Sequence, residues 1–412
     1  MKRAVSMRPL ARSSLWAGRT TALVAIAISA LNLRSAVTSL SPLLHRIGND
    51  LGFGSSTIAI FGMLPPACFA VFGTLTPALV RRMGLEQAAV LGLAVTAFGI
   101  VMRSLAGGDN AFMVFTVIAL AGMGIAGVVI PPLVRKYFSD RLSLTSTVYL
   151  IAMHLGALIP PLVAVPLAEA VGWRAAIAGW AGIALAGAGL WAVTLKMNVR
   201  ATSAQKSAPD VSGVLSRHAW RSPTVWNLTV LFGMTSWNVF ILFTWLPTLL
   251  TNAGHSEQFG GSMVSLLISV SMIAGIFLPT LTIKARNPFP IVGACVVLFA
   301  IGYGGLGLAP ATMTVIWVIL LGAASSLFIV ASTMINTHSR TPAGSAVTSA
   351  FVQGFGGALA ILGPLLFGLL HGWTGDWAAS YGLVAISLVV MSICGYRERC
   401  HLTIEDEMRV MT

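Results

Sequence analysis

Residues 111–134 read AFMVFTVIALAGMGIAGVVIPPLV, twenty-four residues without a charge, and Arg135 and Lys136 follow directly. As an α-helix this stretch would be about 36 Å long, because each residue adds 1.5 Å. The hydrocarbon core of a bilayer is about 30 Å thick. The stretch therefore predicts a helix that crosses a membrane and ends at a cluster of positive charge.

Eleven further stretches of this kind occur along the 412 residues. The twelve predicted spans are 20–44, 55–80, 86–105, 111–134, 143–170, 174–196, 225–251, 258–283, 288–308, 312–335, 343–370 and 377–396. With 56% hydrophobic and 9% charged residues, the composition is that of a protein whose solvent is the lipid bilayer. We predict an all-α membrane protein with twelve transmembrane helices in two six-helix bundles.

Most of the 25 Lys and Arg residues lie in every second gap between the spans or near the termini. Twenty-one lie near the termini or in the gaps after the second, fourth, sixth, eighth and tenth spans, and the opposite gaps contain only Arg46, Arg103 and Arg174. Because cytoplasmic loops contain the Lys and Arg excess, we predict a multi-pass protein of the bacterial cytoplasmic membrane with both termini in the cytoplasm. Topology then explains the net charge of +13, and no nucleic-acid partner is expected.

The longest polar segment, residues 197–224, separates two sets of six spans. The predicted organisation is a cytoplasmic N-terminal tail (1–19), an N-terminal six-helix bundle (20–196), a cytoplasmic linker (197–224), a C-terminal six-helix bundle (225–396) and a cytoplasmic C-terminal tail (397–412). Both halves begin and end on the same side, so they would be related as a parallel repeat about an axis along the membrane normal.

The sequence motifs of several other classes of protein are absent from this chain. No GxxxxGK[ST] loop is present, so transport driven by ATP within this chain is not expected. The four cysteines have neither metal-ligand nor CxxC spacing, so we expect no metal, cofactor or disulfide. An enzyme within the membrane would need a catalytic dyad or a metal cluster at helical spacing, and none is found. A sensor that does not transport remains an alternative from a different class.

The loop after the second span, residues 73–84 (GTLTPALVRRMG), resembles the signature of the major facilitator superfamily in the same loop, with Pro77 in place of the usual Asp. Within that superfamily the chain is similar to the cyanate permease and 2-nitroimidazole transporter family. The likeness covers about residues 30–377 and is found in LNLR (31–34), SPLL (41–44), PPLVRKYF (131–138), WRSP (220–223), FG (232–233), WLP (245–247), QG (353–354) and GP (363–364).

This resemblance implies the superfamily's fold, transport by alternating access, uptake rather than export, and a monomer. It leaves the substrate open. Gly127 stands where relatives are expected to have Asn, Thr235 where a longer amide is common, and His154 where a small residue is usual. If these positions face the cavity, they indicate a substrate other than cyanate or a nitroimidazole.

Arg34 is a cation in the middle of the first span. A charge near the bilayer centre costs about 2.5–3.5 kcal/mol on insertion scales, so it needs a polar partner or water. None of the 12 acidic residues lies in the middle of a span. Arg34 is therefore either a clamp on neighbouring helix ends or, as we favour, a group in the cavity whose planar fork binds a carboxylate or another small anion.

The predicted substrate-binding residues are Arg34, Asn32, Thr38, Tyr149, His154, Thr235, Asn238, Phe351 and Gln353. The polar members have an alternative role, because polar side chains in membrane helices often only join one helix to another. His154 titrates near neutral pH and would suit a proton relay, or it is a hydrogen-bonded packing residue. Phe351 would form part of the cavity wall.

The sequence predicts a secondary active or facilitative transporter of a small polar or anionic solute, with the lipid bilayer as its surroundings. The alternative within transport is an efflux antiporter that exchanges a drug or metabolite for protons, which usually requires a carboxylate in the membrane. Coupling to protons stays open, and we favour facilitated or weakly coupled movement because a single histidine is the only candidate relay.

Overall fold

A computed structural model describes residues 19–197, 220–285, 287–339, 342–399 and 407. In this part of the chain the α-helices are α1 (Thr20–Thr38), α2 (Leu44–Leu51), α3 (Ser55–Met83), α4 (Leu85–Ser104), α5 (Asp109–Phe138), α6 (Leu142–Val171), α7 (Trp173–Gly179), α8 (Ala181–Lys196), α9 (Pro223–Asn252), α10 (Glu257–Lys284), α11 (Phe289–Leu308), α12 (Thr314–Ser325), α13 (Leu327–Thr337), α14 (Pro342–Thr374) and α15 (Ala378–Arg397).

Among the described residues, 12 helical stretches are long and apolar enough to cross a membrane. The first span consists of α1, a 3-10 turn at Ser41–Leu43 and α2; α7 and α8 form the sixth span, and α12 and α13 the tenth. This confirms the predicted all-α fold with twelve spans. The domain boundaries stay predictions, and most of the proposed linker and tails lies outside the described residues.

The junction between the second and third spans differs from the expectation. Residues 73–83 are the last turns of α3 rather than a loop, and Pro77 lies inside that helix. Gly84 alone joins α3 to α4, with φ 88°. Only glycine adopts this left-handed region readily, so the reversal between two membrane helices takes a single residue.

The helix ends that hold Arg81, Arg82, Arg135 and Lys136 define what we call the basic face of the molecule. Two ion pairs join helices of the N-terminal half here. Arg19 donates to both carboxylate oxygens of Asp140, at 2.8 and 3.0 Å, and this hydrogen bonding raises the pKa of Arg19. Lys136 lies 2.5 Å from the buried carboxylate of Glu86.

At the end opposite the basic face, the two halves of the chain touch. Arg46 of α2 lies 2.8 Å from Glu257 of α10 and 3.8 Å from Glu169 of α6. The Ser41 hydroxyl donates to the Phe243 carbonyl in the C-terminal half. We call the contact region formed by these five residues, together with Pro161 and Gly261, the gate.

Backbones approach closely at the gate. A Cβ on Gly261 of α10 would overlap the carbonyl oxygen of Pro161 in α6. Without a hydrophobic force between helices in lipid, such small residues allow the close packing that holds helices together. Further along the same pair, the Ser265 hydroxyl donates to the Leu158 carbonyl at 2.7 Å.

Val165 of α6 and Val264 of α10, near the gate, are 1% and 0% exposed. The Ser41 and Ser265 hydroxyls donate to carbonyls of the other half here. The two halves are thus held together at the gate, and we call the region between them, from the gate towards the basic face, the cleft.

Candidate functional site

The first span is broken at the inner side of the gate. α1 ends at Thr38, and Pro42 in the following 3-10 turn has no N–H to continue the helix. The last carbonyls of α1 therefore lack partners within the helix. The Thr38 hydroxyl donates to the Arg34 carbonyl at 3.1 Å. The break leaves Arg34 one turn from the end of α1, about halfway through the molecule.

The Arg34 side chain is half-buried. Within the described part of the chain its guanidinium makes no hydrogen bond and no ion pair. Tyr149 and His154 of α6 are near enough to interact with its charge electrostatically. The structure therefore brings two of the predicted residues, Tyr149 and His154, close to a third, the cation Arg34, which has no counter-ion among the described residues.

Close packing of α6 on α1 produces this grouping. A Cβ on Gly156 would overlap the carbonyl oxygen of Leu31, so the two backbones are in direct contact. Both helices run from the basic face towards the gate, so His154, two residues before Gly156, and Arg34, three residues after Leu31, are offset by about 7.5 Å along the helix axes. The long Arg34 side chain points back towards the start of its helix, which is the direction of His154 and Tyr149.

His154 and Tyr149 each have a hydrogen-bond acceptor that the contacts within α6 do not use. The Nδ1 atom of His154 lies 2.8 Å from the Leu150 carbonyl. A carbonyl can only accept, so this assigns the proton to Nδ1 and leaves Nε2 as an acceptor. The Tyr149 hydroxyl is 3.8 Å from the sulfur of Met153, a weak contact that leaves its acceptor sites unused.

Asn32 lies away from the Arg34 group, and Thr38 lies one turn beyond Arg34 towards the gate. Residues two positions apart on an α-helix are rotated by about 200° about its axis, so Asn32 points to the opposite side of α1 from Arg34. Asn32 is 0% exposed, and both polar atoms of its amide lack a hydrogen-bond partner. Asn32 thus lies inside the N-terminal half rather than in the cleft. Thr38 is 2% exposed and points towards the gate.

Thr235 and Asn238 of α9 use their polar groups inside the C-terminal half. The Thr235 hydroxyl donates to the Leu231 carbonyl at 2.7 Å. The Asn238 amide donates to the Met234 carbonyl at 2.8 Å and to the Ser387 hydroxyl of α15 at 3.0 Å. Both side chains are 0% exposed. The structure does not bring them to Arg34, and their contacts are those of residues that hold helices together.

Phe351 and Gln353 lie towards the basic-face end of α14. The Phe351 ring packs at 5.1 Å from Trp220, 5.1 Å from Trp226 and 4.6 Å from Phe355. Phe351 thus belongs to an aromatic cluster at the start of α9 and does not lie against Arg34. Gln353 is exposed.

Three buried ionisable residues are not among the predicted site residues. Arg103, at the end of α4, is 1% exposed, although its charge is counted in the sequence with the gap that follows the third span. His338 and Glu398 form a pair at 3.2 Å, with side chains 0% and 3% exposed. The position of Arg103 in the last turn of the predicted third span is the one signal that would have found it. Across the described residues, no group of three His, Cys, Asp or Glu could hold a metal ion.

A polar cleft between two packed halves, with its cation in a broken first span, is the architecture of a secondary transporter. Residues 23–342 match the family model of the Major Facilitator Superfamily, and the chain belongs to this superfamily. It is a multi-pass membrane transporter of small solutes and not an enzyme.

The chain is also similar in sequence to three bacterial transport proteins. The chain is 30% identical over 372 residues to the uncharacterized transporter YycB of Bacillus subtilis, covering 89% of this chain and 90% of the relative. It is 28% identical over 381 residues to the 2-nitroimidazole transporter of Escherichia coli (92% and 95% covered) and 24% identical over 380 residues to the cyanate transport protein CynX of the same species (91% and 96%).

The fold agrees with a solved transporter. The crystal structure of a D-xylose–proton symporter superimposes with a TM-score of 0.69 at 12% identity, covering 92% of this chain and 97% of the symporter. At this identity the likeness concerns the fold alone.

Proposed function

We propose that the protein moves a small anion across the bacterial inner membrane by alternating access, and that Arg34 binds the anion. The observation that supports this is the guanidinium of Arg34, half-buried near Tyr149 and His154, which makes no hydrogen bond or ion pair in the described part of the chain. A cation within a membrane span needs a partner. A substrate with a carboxylate or a similar planar group would supply both the charge and two acceptors in the geometry of the fork.

The distribution of acidic residues supports an anion over a cation. Glu86 is buried but already binds Lys136 and Tyr137 at the basic face. Glu398 pairs with His338, away from the cleft. No carboxylate of the described spans is thus left near Arg34 to attract a cationic drug or to exchange a proton for it, which weighs against the efflux antiporter.

We favour uptake as the direction of transport, as the family resemblance implies. With the basic face in the cytoplasm, the gate would face the outside and the cleft would open to the cytoplasm. An importer releases its substrate from such a state, and an exporter binds its substrate in it. Cyanate, named for one relative, is a small anion and fits the proposed class. Because the cleft lies between the two halves of one chain, a monomer would be the functional unit.

A ligand screen tests the proposal. The thermal stability of the purified protein would be measured with nitrate, formate, acetate and freshly dissolved cyanate, and with 2-nitroimidazole and a neutral sugar for comparison. We expect at least one anion to raise Tm in a concentration-dependent way, because a ligand that binds only the folded state stabilises it. Stabilisation by the neutral compounds with no response to any anion would overturn the proposal.

Orientation has its own test. A reporter that is active only in the cytoplasm should give a signal when fused after Ser212, which lies outside the described residues, and none when fused after Asp376 at the gate end of α14. The expected difference is all or none, since each site lies on one side of the membrane. A signal from the second fusion alone would reverse the proposed orientation.

We propose that transport is not tightly coupled to protons, and His154 is the residue that tests this. We expect His154→Ala to reduce anion transport in proteoliposomes by no more than about fivefold, because its Nδ1 bonds a carbonyl of its own helix and one such bond is worth about 1 kcal/mol. A pH-sensitive dye inside the vesicles should report little proton movement with either protein. Proton movement that accompanies the anion in the wild type and disappears in the variant would establish His154 as the relay instead.

A further inference from the structure

A small pocket lies directly beneath the gate, between the two halves. Residues of α1, α3, α4, α5 and α9 line it, among them Thr38, Ser41, Arg103, Thr116, Phe240 and Phe243. Its volume is about 30 Å³. A water molecule needs about 10–15 Å³, so the pocket has room for about two, or for an anion of three or four heavy atoms.

Arg103 is the charged residue of this pocket. It is 1% exposed, and its Nη2 donates to the Ala36 carbonyl at 3.0 Å. Ala36 is in the last turn of α1, where the carbonyls lack helical partners, so this bond caps the broken helix. A positive charge is also favourable at a helix C-terminus. Capping of α1 therefore uses one hydrogen-bond donor of the guanidinium, its Nη2.

The hydrogen bond to Ala36 leaves another donor and the charge of the guanidinium without a partner. Its Nε is buried and has no hydrogen-bond partner. None of the described residues that line the pocket is acidic, so nothing in the pocket neutralises the charge. A buried donor that stays unsatisfied costs about 1–3 kcal/mol, and more when it is charged. An anion in the pocket would satisfy both the charge and the free N–H.

We propose that this pocket is a second anion-binding subsite, with Arg103 as its cation, on the same path as the subsite at Arg34. This inference rests on the proposed transport of a small anion. The two subsites are adjacent, because Thr38 lines the pocket while its hydroxyl bonds the carbonyl of Arg34. Four residues, about 6 Å along the helix axis, separate Arg34 from Thr38.

The position of the pocket assigns the two subsites to different stages of the cycle. The Ser41–Phe243 contact that closes the gate also lines the pocket. Opening the gate would remove this wall and expose Arg103 to the outside. Arg103 then receives the anion from outside, and Arg34 holds it before release through the cleft. The small volume also limits the substrate to ions of a few atoms.

Nitrate binding to the purified full-length protein tests this inference. Titrations would give Kd for the wild type, Arg103→Gln, Arg103→Lys and Arg34→Gln, and Tm without nitrate would be recorded for each. We expect Arg103→Gln to weaken binding at least about tenfold, since a hydrogen bond to a charged group is lost. Arg103→Lys retains the charge and a donor for Ala36, so its Tm should stay near that of the wild type while its Kd rises about tenfold.

The outcomes separate the two proposals. Nitrate binding that is lost in Arg34→Gln but unchanged in both Arg103 variants would overturn the second subsite and leave the proposed function standing. A lower Tm of Arg103→Gln with an unchanged Kd would mean that Arg103 only caps α1. Should Arg103→Gln fail to fold, the Kd of Arg103→Lys decides alone, and a wild-type value overturns the inference. If none of the small anions binds the wild type, the proposed function and this inference fail together.

Discussion

Replacing Arg34 by Ala is expected to abolish anion transport while the protein still folds and inserts. The guanidinium is half-buried and makes no bond in the described part of the chain, so its removal breaks no internal contact. A bound anion would lose two charge-assisted hydrogen bonds, worth about 1.5–3 kcal/mol each, which corresponds to a loss of affinity of about a hundredfold or more. Uptake of a radiolabelled anion into proteoliposomes measures the effect.

Arg34→Lys is the matched variant. It retains the positive charge but not the planar fork, so we expect binding between that of the wild type and that of Arg34→Ala, about tenfold weaker than the wild type. Normal transport by Arg34→Ala, with or without a change in Tm, would mean that Arg34 is a structural clamp and would remove the basis of the proposed function.

Substituting Gly261 by Ala should prevent the gate from closing. The new Cβ would overlap the carbonyl oxygen of Pro161, a backbone atom that cannot rotate away. Overpacking of this kind costs about 1–3 kcal/mol, so the open-gate state should gain about tenfold or more in population. Transport should fall by a similar factor, because the cycle requires the gate to close.

A cysteine introduced at Ser41 would report the state of the gate. In a variant without the native cysteines, a thiol reagent that does not cross the membrane should label this position from outside much faster when Gly261 is Ala. Gly99→Ala is the control, since its Cβ would overlap backbone atoms of Ala119 within the N-terminal half. It should lower Tm without faster labelling. Equal labelling of both variants would show that contact at Gly261 does not control the gate.

The twelve spans could be predicted closely because each depends on a local property. A run of about 20 apolar residues is long enough to cross the bilayer wherever it occurs, and the positions of Lys and Arg then alternate. The exception is informative. The sequence ended the second span at residue 80 and proposed a loop, but α3 continues to Met83 because Gly84 alone completes the turn.

The rotation of each helix about its own axis could not be predicted. Lipid tails and protein neighbours are both apolar, so a membrane helix shows little contrast between its faces. Arg34 was recognisable because a lone charge must avoid lipid. Asn238 gave no such signal: its partner Ser387 lies 149 residues away in the sequence. Phe351 likewise joined an aromatic cluster with Trp220 and Trp226 that no local pattern indicates.

Buried charges at helix ends were misread for a related reason. Arg103 was counted among the residues of a loop, since arginines at the ends of spans usually extend towards water. In the structure it turns inward because α1 is broken nearby and offers the Ala36 carbonyl. The break depends on Pro42, which is visible in the sequence, but its position next to α4 is not.

The unneutralised charge of Arg34 also has an electrical consequence. Moving one elementary charge through 100 mV requires about 2.3 kcal/mol. A monovalent anion bound at Arg34 cancels its charge, so the loaded site would reorient with little work against the membrane voltage. The empty site would reorient as a cation, and an inside-negative voltage would oppose its return to the outside. Exchange of one anion for another uses only the loaded step and would therefore be insensitive to voltage, whereas net uptake would slow as the membrane becomes more polarised.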